Sequence, residues 1–138
     1  MRILIELPTW LGDVVMVTPA IENLAIHFGS PEITLIGSYT SIEVMKNHPK
    51  VFKTRVLDKN YYYLVKTSKN LGKFDIFLSF RSSLRSRLLK LLISSVNKYY
   101  YDKNKFVNRH QVEKYNDYVN QILNTNYSAG KLKIALGN

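Results

Sequence analysis

Short apolar runs alternate with segments of helical spacing about every 25 residues along this chain of 138. That alternation constrains the fold more than any other feature. Arg2–Leu7, Ile33–Gly37, Lys53–Leu57, Asp75–Phe80, Lys98–Tyr101 and Leu132–Leu136 read as strands. Asp13–Phe28, Ser41–Asn47, Tyr61–Leu71, Arg81–Ser95 and Val112–Leu123 read as helices. Pro19 falls inside the first helix, and Thr18 can cap a restart there, so a kink or break is expected. Gly29-Ser30-Pro31 ends that helix. The pattern predicts an α/β fold: βαβ units forming a doubly wound, Rossmann-like parallel sheet with helices on both faces. Ligands of such sheets bind beyond the carboxyl ends of the strands. The Pro8–Gly12 loop and the Phe80–Arg81 junction both fall at that edge.

Composition narrows the chemistry. A hydrophobic content of 46% suits a folded domain. The chain has no cysteine, which excludes disulfides, thiolate metal sites and cysteine nucleophiles. Glu6, Pro8 and Asp13 interrupt the N-terminal apolar residues too early for a signal peptide. No segment is long and apolar enough to span a membrane. The net charge of +10 comes from 20 Lys+Arg against 10 Asp+Glu and favours anionic partners. A nucleic-acid partner is not expected: no recognised motif is present, and the aromatics are not interleaved with basic residues as a base-stacking sheet requires.

Within the stretch Leu7–Val15 one carboxylate, Asp13, stands in apolar surroundings. A dinucleotide loop would show Gly-x-Gly-x-x-Gly after the first strand, and only Gly12 is present. The plain reading of Asp13 is a helix N-cap. The alternative is a general base, because Trp10, Leu11 and Val14 would desolvate the group at the ligand edge. In "SFRSSLRSRLLKLL", Arg81 and Arg85 are four apart and would share a face at a helix start. With Ser82 and Ser83 they could hold a phosphate, or they are simply solvated. Trp10 is a packing or sugar-facing aromatic. His27, His48 and His110 show no metal-ligand spacing, so neither a metal nor another cofactor is expected.

Three stretches carry a resemblance. "ILIELPTWLGDVVMVTPAIENL" contains Leu11-Gly12-Asp13 and Thr18-Pro19-Ala20. "KFDIFLSFRSSLRS" and "RHQVEKYNDYV" follow in order. Together they resemble the N-terminal part of the ADP-heptose:lipopolysaccharide heptosyltransferase family, and the tryptophan before Leu-Gly-Asp is more similar to its type II members. The resemblance implies the N-terminal half of a GT-B glycosyltransferase. Residues 1–130 would form the acceptor-side domain, and 131–138 a linker or the first strand of a C-terminal donor domain. It implies Asp13 as catalytic base and Trp10, Gly12, Arg81, Ser82 and Arg85 as acceptor-binding residues. The expected reaction is inverting, metal-free transfer from ADP-heptose to the lipopolysaccharide inner core. The expected location is cytoplasmic, peripheral to the inner membrane of a Gram-negative bacterium. A second reading is a truncated, inactive module that binds an anionic glycolipid or membrane surface.

Overall fold

The structure is a computed structural model and describes residues 1–57, 60–81, 83–101 and 110–125. Its elements in chain order are β1 (Arg2–Glu6), α1 (Leu11–Met16), α2 (Thr18–Phe28), β2 (Glu32–Gly37), α3 (Tyr39–Met45), β3 (Val51–Val56), α4 (Tyr61–Asn70), β4 (Lys73–Ser79), α5 (Leu84–Leu92), β5 (Ser94–Tyr100) and α6 (Gln111–Leu123). Five strands form one sheet in the order β3-β2-β1-β4-β5, and every neighbouring pair is parallel. The order reverses at β1, so the switch point lies between β1 and β4, where an open sheet of this kind leaves its ligand crevice.

The strands alternate their side chains between two cores. Ile3, Ile5 and Leu7 pack with Val14, Ile21, Leu24, Ile42 and Val119, from α1, α2, α3 and α6, on one face. Leu4, Ile36 and Phe77 pack with Leu64 and Leu89, from α4 and α5, on the other. This two-sided burial explains why the strands read as continuous apolar runs. Leu4 and Phe77 sit opposite each other in the β1–β4 register, and both are fully buried. Among the described residues, no helix is long and apolar enough to cross a membrane.

Three local expectations change. The first helix breaks at Val17, but Thr18 is not the cap: Val17 occupies that position, and Thr18 donates its hydroxyl proton to the Val15 carbonyl at 2.8 Å. The loop after β1 ends at Trp10, so Leu11, Gly12 and Asp13 lie inside α1. The expected helix Arg81–Ser95 begins only at Leu84, where Ser83 accepts from the Ser86 amide at 3.1 Å. Its far end gives way to β5 at Ser94. A serine cap therefore starts α5 three residues later than the arginine spacing suggested, and Arg81 precedes the helix. The strand expected at Leu132–Leu136, the boundary at 130/131 and Ser82 lie outside the described residues.

Candidate active-site cleft at the sheet switch point

β1 ends at Glu6, and the chain turns through Leu7, Pro8 and Thr9 before Trp10 opens α1. The Trp10 carbonyl accepts the first helical hydrogen bond from Val14 at 3.0 Å. β4 ends at Ser79, and the Phe80 amide donates to the Glu6 carbonyl at 3.0 Å. These two strand ends and the start of α6 enclose a cleft of about 390 Å³. Its lining includes Trp10, Asp13, Arg81, Ser83, Gln111 and Tyr115.

Asp13 occupies the first turn of α1 and not its cap; Trp10 holds the cap position without a side-chain hydrogen bond. The plain reading, a capping carboxylate, is therefore set aside. Partial burial pushes the Asp13 carboxyl above the ordinary carboxylate value of 3.8, because a less solvated carboxylate favours its protonated form. Tyr115 from α6 stands close enough to respond to that charge. Its phenol is raised strongly, first by burial and then by the Asp13 carboxylate, while a Gln111 side-chain hydrogen bond acts in the opposite direction. Tyr115 is fixed from behind by edge-to-face contact with Phe80, ring centroids 5.3 Å apart. Trp10 is 74% exposed on the other side of the opening. A packing tryptophan would be buried, so its ring is available to a ligand.

Arg81 lines the cleft with its side chain 26% exposed. Behind it sits a residue that sequence reasoning passed over. Glu6 is 1% exposed; its Oε1 accepts from Ser79 Oγ at 2.6 Å, and its Oε2 lies 3.8 Å from Arg81 Nη1. The available signal was a carboxylate between Ile5 and Leu7 in an otherwise apolar strand. Arg85 is not brought into the cleft lining beside Arg81. It lies within α5, and its Nε and Nη2 are buried without a hydrogen-bond partner among the described residues. Gly12 does not line the cleft, and a Cβ there would meet nothing within 4 Å. Among the described residues, no group of three His, Asp or Glu is gathered as a metal site. His110 takes the cap position of α6 without a side-chain cap bond, and His48 pairs with Glu22 at 2.9 Å.

No protein-family model matches the chain. A lipooligosaccharide heptosyltransferase 2 from Campylobacter jejuni is 38% identical over 117 residues, which is 83% of this chain and 36% of that protein. The chain thus spans little more than a third of the length of this curated relative. Among solved structures, a glycosyl transferase family 9 protein from Veillonella parvula superposes with a TM-score of 0.87 at 22% identity, covering 99% of this chain and 45% of the other. Escherichia coli ADP-heptose lipopolysaccharide heptosyltransferase II superposes with a TM-score of 0.76 at 15% identity, covering 99% of this chain and 47% of the other. The resemblance to the heptosyltransferases is borne out, and so is the fold: a doubly wound parallel sheet of the kind that makes up half of a GT-B glycosyltransferase.

Proposed function

We propose that this homologue of the heptosyltransferases is the acceptor-side domain of an inverting glycosyltransferase that moves heptose from ADP-heptose to the lipopolysaccharide inner core. The observation that carries the reading is Asp13. It is a partly desolvated carboxylate with no capping duty, set at the switch point of the sheet and facing an open cleft. A carboxyl group with a raised pKa is better matched to taking a proton near neutral pH. In the proposed step the Asp13 carboxylate accepts the proton of an acceptor hydroxyl. The freed oxygen bonds to the anomeric carbon of ADP-heptose, the bond from that carbon to the diphosphate breaks, and ADP leaves from the opposite face. The donor is held by the second domain of such an enzyme.

Trp10 and Arg81 are proposed as the acceptor side of the cleft; Gly12 and Arg85, which do not line it, and Ser82, outside the described residues, join the proposal only through the family resemblance. Trp10 offers an exposed aromatic face to a sugar, and Arg81 offers guanidinium donors to its oxygens. The chain's surplus of cations fits a phosphorylated, lipid-linked acceptor, and with it a peripheral position on the cytoplasmic face of the inner membrane.

The test joins this chain to the donor-side half of a homologous heptosyltransferase. The fusion is supplied with ADP-heptose and heptose-deficient lipooligosaccharide, and the product is read by mass spectrometry. Transfer that disappears with Asp13→Asn supports the proposal. Acceptor binding without transfer, unchanged by Asp13→Asn, would leave a binding module for an anionic glycolipid.

A further inference from the structure

The chain carries a net charge of +10, yet the described lining of the cleft does not share it. Among its described lining residues only Asp13 and Arg81 are charged at neutral pH. Adding buried Glu6 behind the wall gives two negative charges against one positive, a local balance of −1. The Arg81 backbone is also held in place. Its amide donates to Ser79 Oγ at 3.1 Å, and the Ser79 hydroxyl donates a hydrogen bond to Glu6 Oε1 at 2.6 Å. The Glu6–Arg81 separation of 3.8 Å is longer than a hydrogen bond, so the pair is joined by charge while donors of the guanidinium stay available to the cleft. Arg85, by contrast, has no ion pair among the described residues.

We infer that Glu6 is a specificity-determining residue of this cleft: it anchors the Arg81 backbone through Ser79 and offsets the guanidinium charge, so that Arg81 serves as a donor to uncharged acceptor oxygens and not as a phosphate-gripping cation. The assignment of those oxygens to a sugar acceptor rests on the function proposed above. The charge assignment does not. A carboxylate several ångströms from a bound dianion repels it in a partly screened site, and the same carboxylate lowers the gain from the guanidinium. A hydroxyl group feels neither effect, so the pair selects for hydroxyls. The phosphates of the acceptor then belong to cations elsewhere on the chain.

The experiment titrates the intact chain with inorganic phosphate and follows backbone and arginine side-chain resonances by ¹H–¹⁵N NMR. Glu6→Gln keeps an acceptor for Ser79 and removes only the charge. It is expected to tighten phosphate binding at Arg81 by about tenfold, the order of magnitude for removing one nearby like charge. Glu6→Gln combined with Arg81→Gln should return to the wild-type level. Arg81→Gln alone should leave wild-type phosphate binding unchanged. Glu6→Met fills a similar volume without a polar atom to satisfy and should show the same gain. A folded Glu6→Gln or Glu6→Met chain with no gain overturns the inference, and so does a loss of phosphate binding in Arg81→Gln alone. If neither Glu6 variant folds, the Arg81→Gln arm decides. Because phosphate binding is read without heptose transfer, a fusion that transfers nothing would count against the proposed function and leave this result standing.

Discussion

Ser41 Oγ donates a hydrogen bond to the Pro8 carbonyl at 2.5 Å, and both residues are buried. The bond ties the first turn of α3 to the loop that delivers Trp10 and Asp13 to the cleft. Ser38, the cap of α3, sets the Ser41 side chain from behind, with their hydroxyl oxygens 3.0 Å apart. Gly37 lets this happen. A Cβ at that position would stand 3.3 Å from Leu7 Cβ and 3.5 Å from Ser41 Cβ, so a side chain there would press on the β1 loop and make Leu7 give by a few tenths of an ångström.

Ser41→Ala is therefore expected to cost about 1–3 kcal/mol, the penalty for leaving a buried carbonyl without its donor. Chemical denaturation measures it. The same variant should loosen the loop, which would appear as faster amide exchange at Thr9 and Trp10 than at the β1 core.

Asp13 separates chemistry from stability. In a transfer-competent enzyme carrying this domain, Asp13→Asn should lower the transfer rate by about 10²–10⁴-fold, the usual contribution of a general base. Because Asp13 is not the cap of α1, Asp13→Ala should not show the loss of about 1 kcal/mol that follows removal of an N-cap. A loss near 1 kcal/mol on thermal unfolding would restore the capping role.

The pH dependence has a definite sign. The folded-state pKa of Asp13 is raised above the ordinary 3.8 by desolvation. Its ionisation therefore costs stability, and that cost sets in as pH rises through 3.8 and is complete above the folded value. Asp13→Asn removes the cost, so its stability relative to wild type should improve across that window. The acid limb of the transfer rate should lie above 3.8, because the base must be ionised. A limb at or below 3.8 would contradict the assignment.

Ser83 marks the true start of α5. Ser83→Ala should destabilise the chain by about 1 kcal/mol, as loss of an N-cap does, whereas Ser83→Asp should retain most of the stability. Equal stability of Ser83→Ala and wild type would place the helix start elsewhere.

The sequence by itself determined the α/β alternation, the parallel sheet and the ligand edge. Continuous apolar runs such as Ile3–Ile5 and Ile76–Leu78 are stable only when both faces are covered, and their spacing leaves room for a crossover helix between parallel neighbours. Asp13 was legible for the same reason: a carboxylate between Leu11 and Val14 had no bland place to go except a cap. Helix boundaries were less legible. Arg81 and Arg85 have helical spacing, but a competing local signal, the Ser83 hydroxyl meeting the Ser86 amide, starts α5 later. Only the tertiary structure decided what surrounds Asp13. Tyr115 reaches it from α6, about a hundred residues away in sequence, because α6 packs beside α1 and α2, with Asn116 holding Asn23 at 2.6 Å. Glu6 meets Ser79 because β1 and β4 are neighbours in register. Hydrophobic periodicity reports which face of an element is covered. It carries no information about which distant polar group will stand opposite a buried one, because that pairing exists only once the strand order is set.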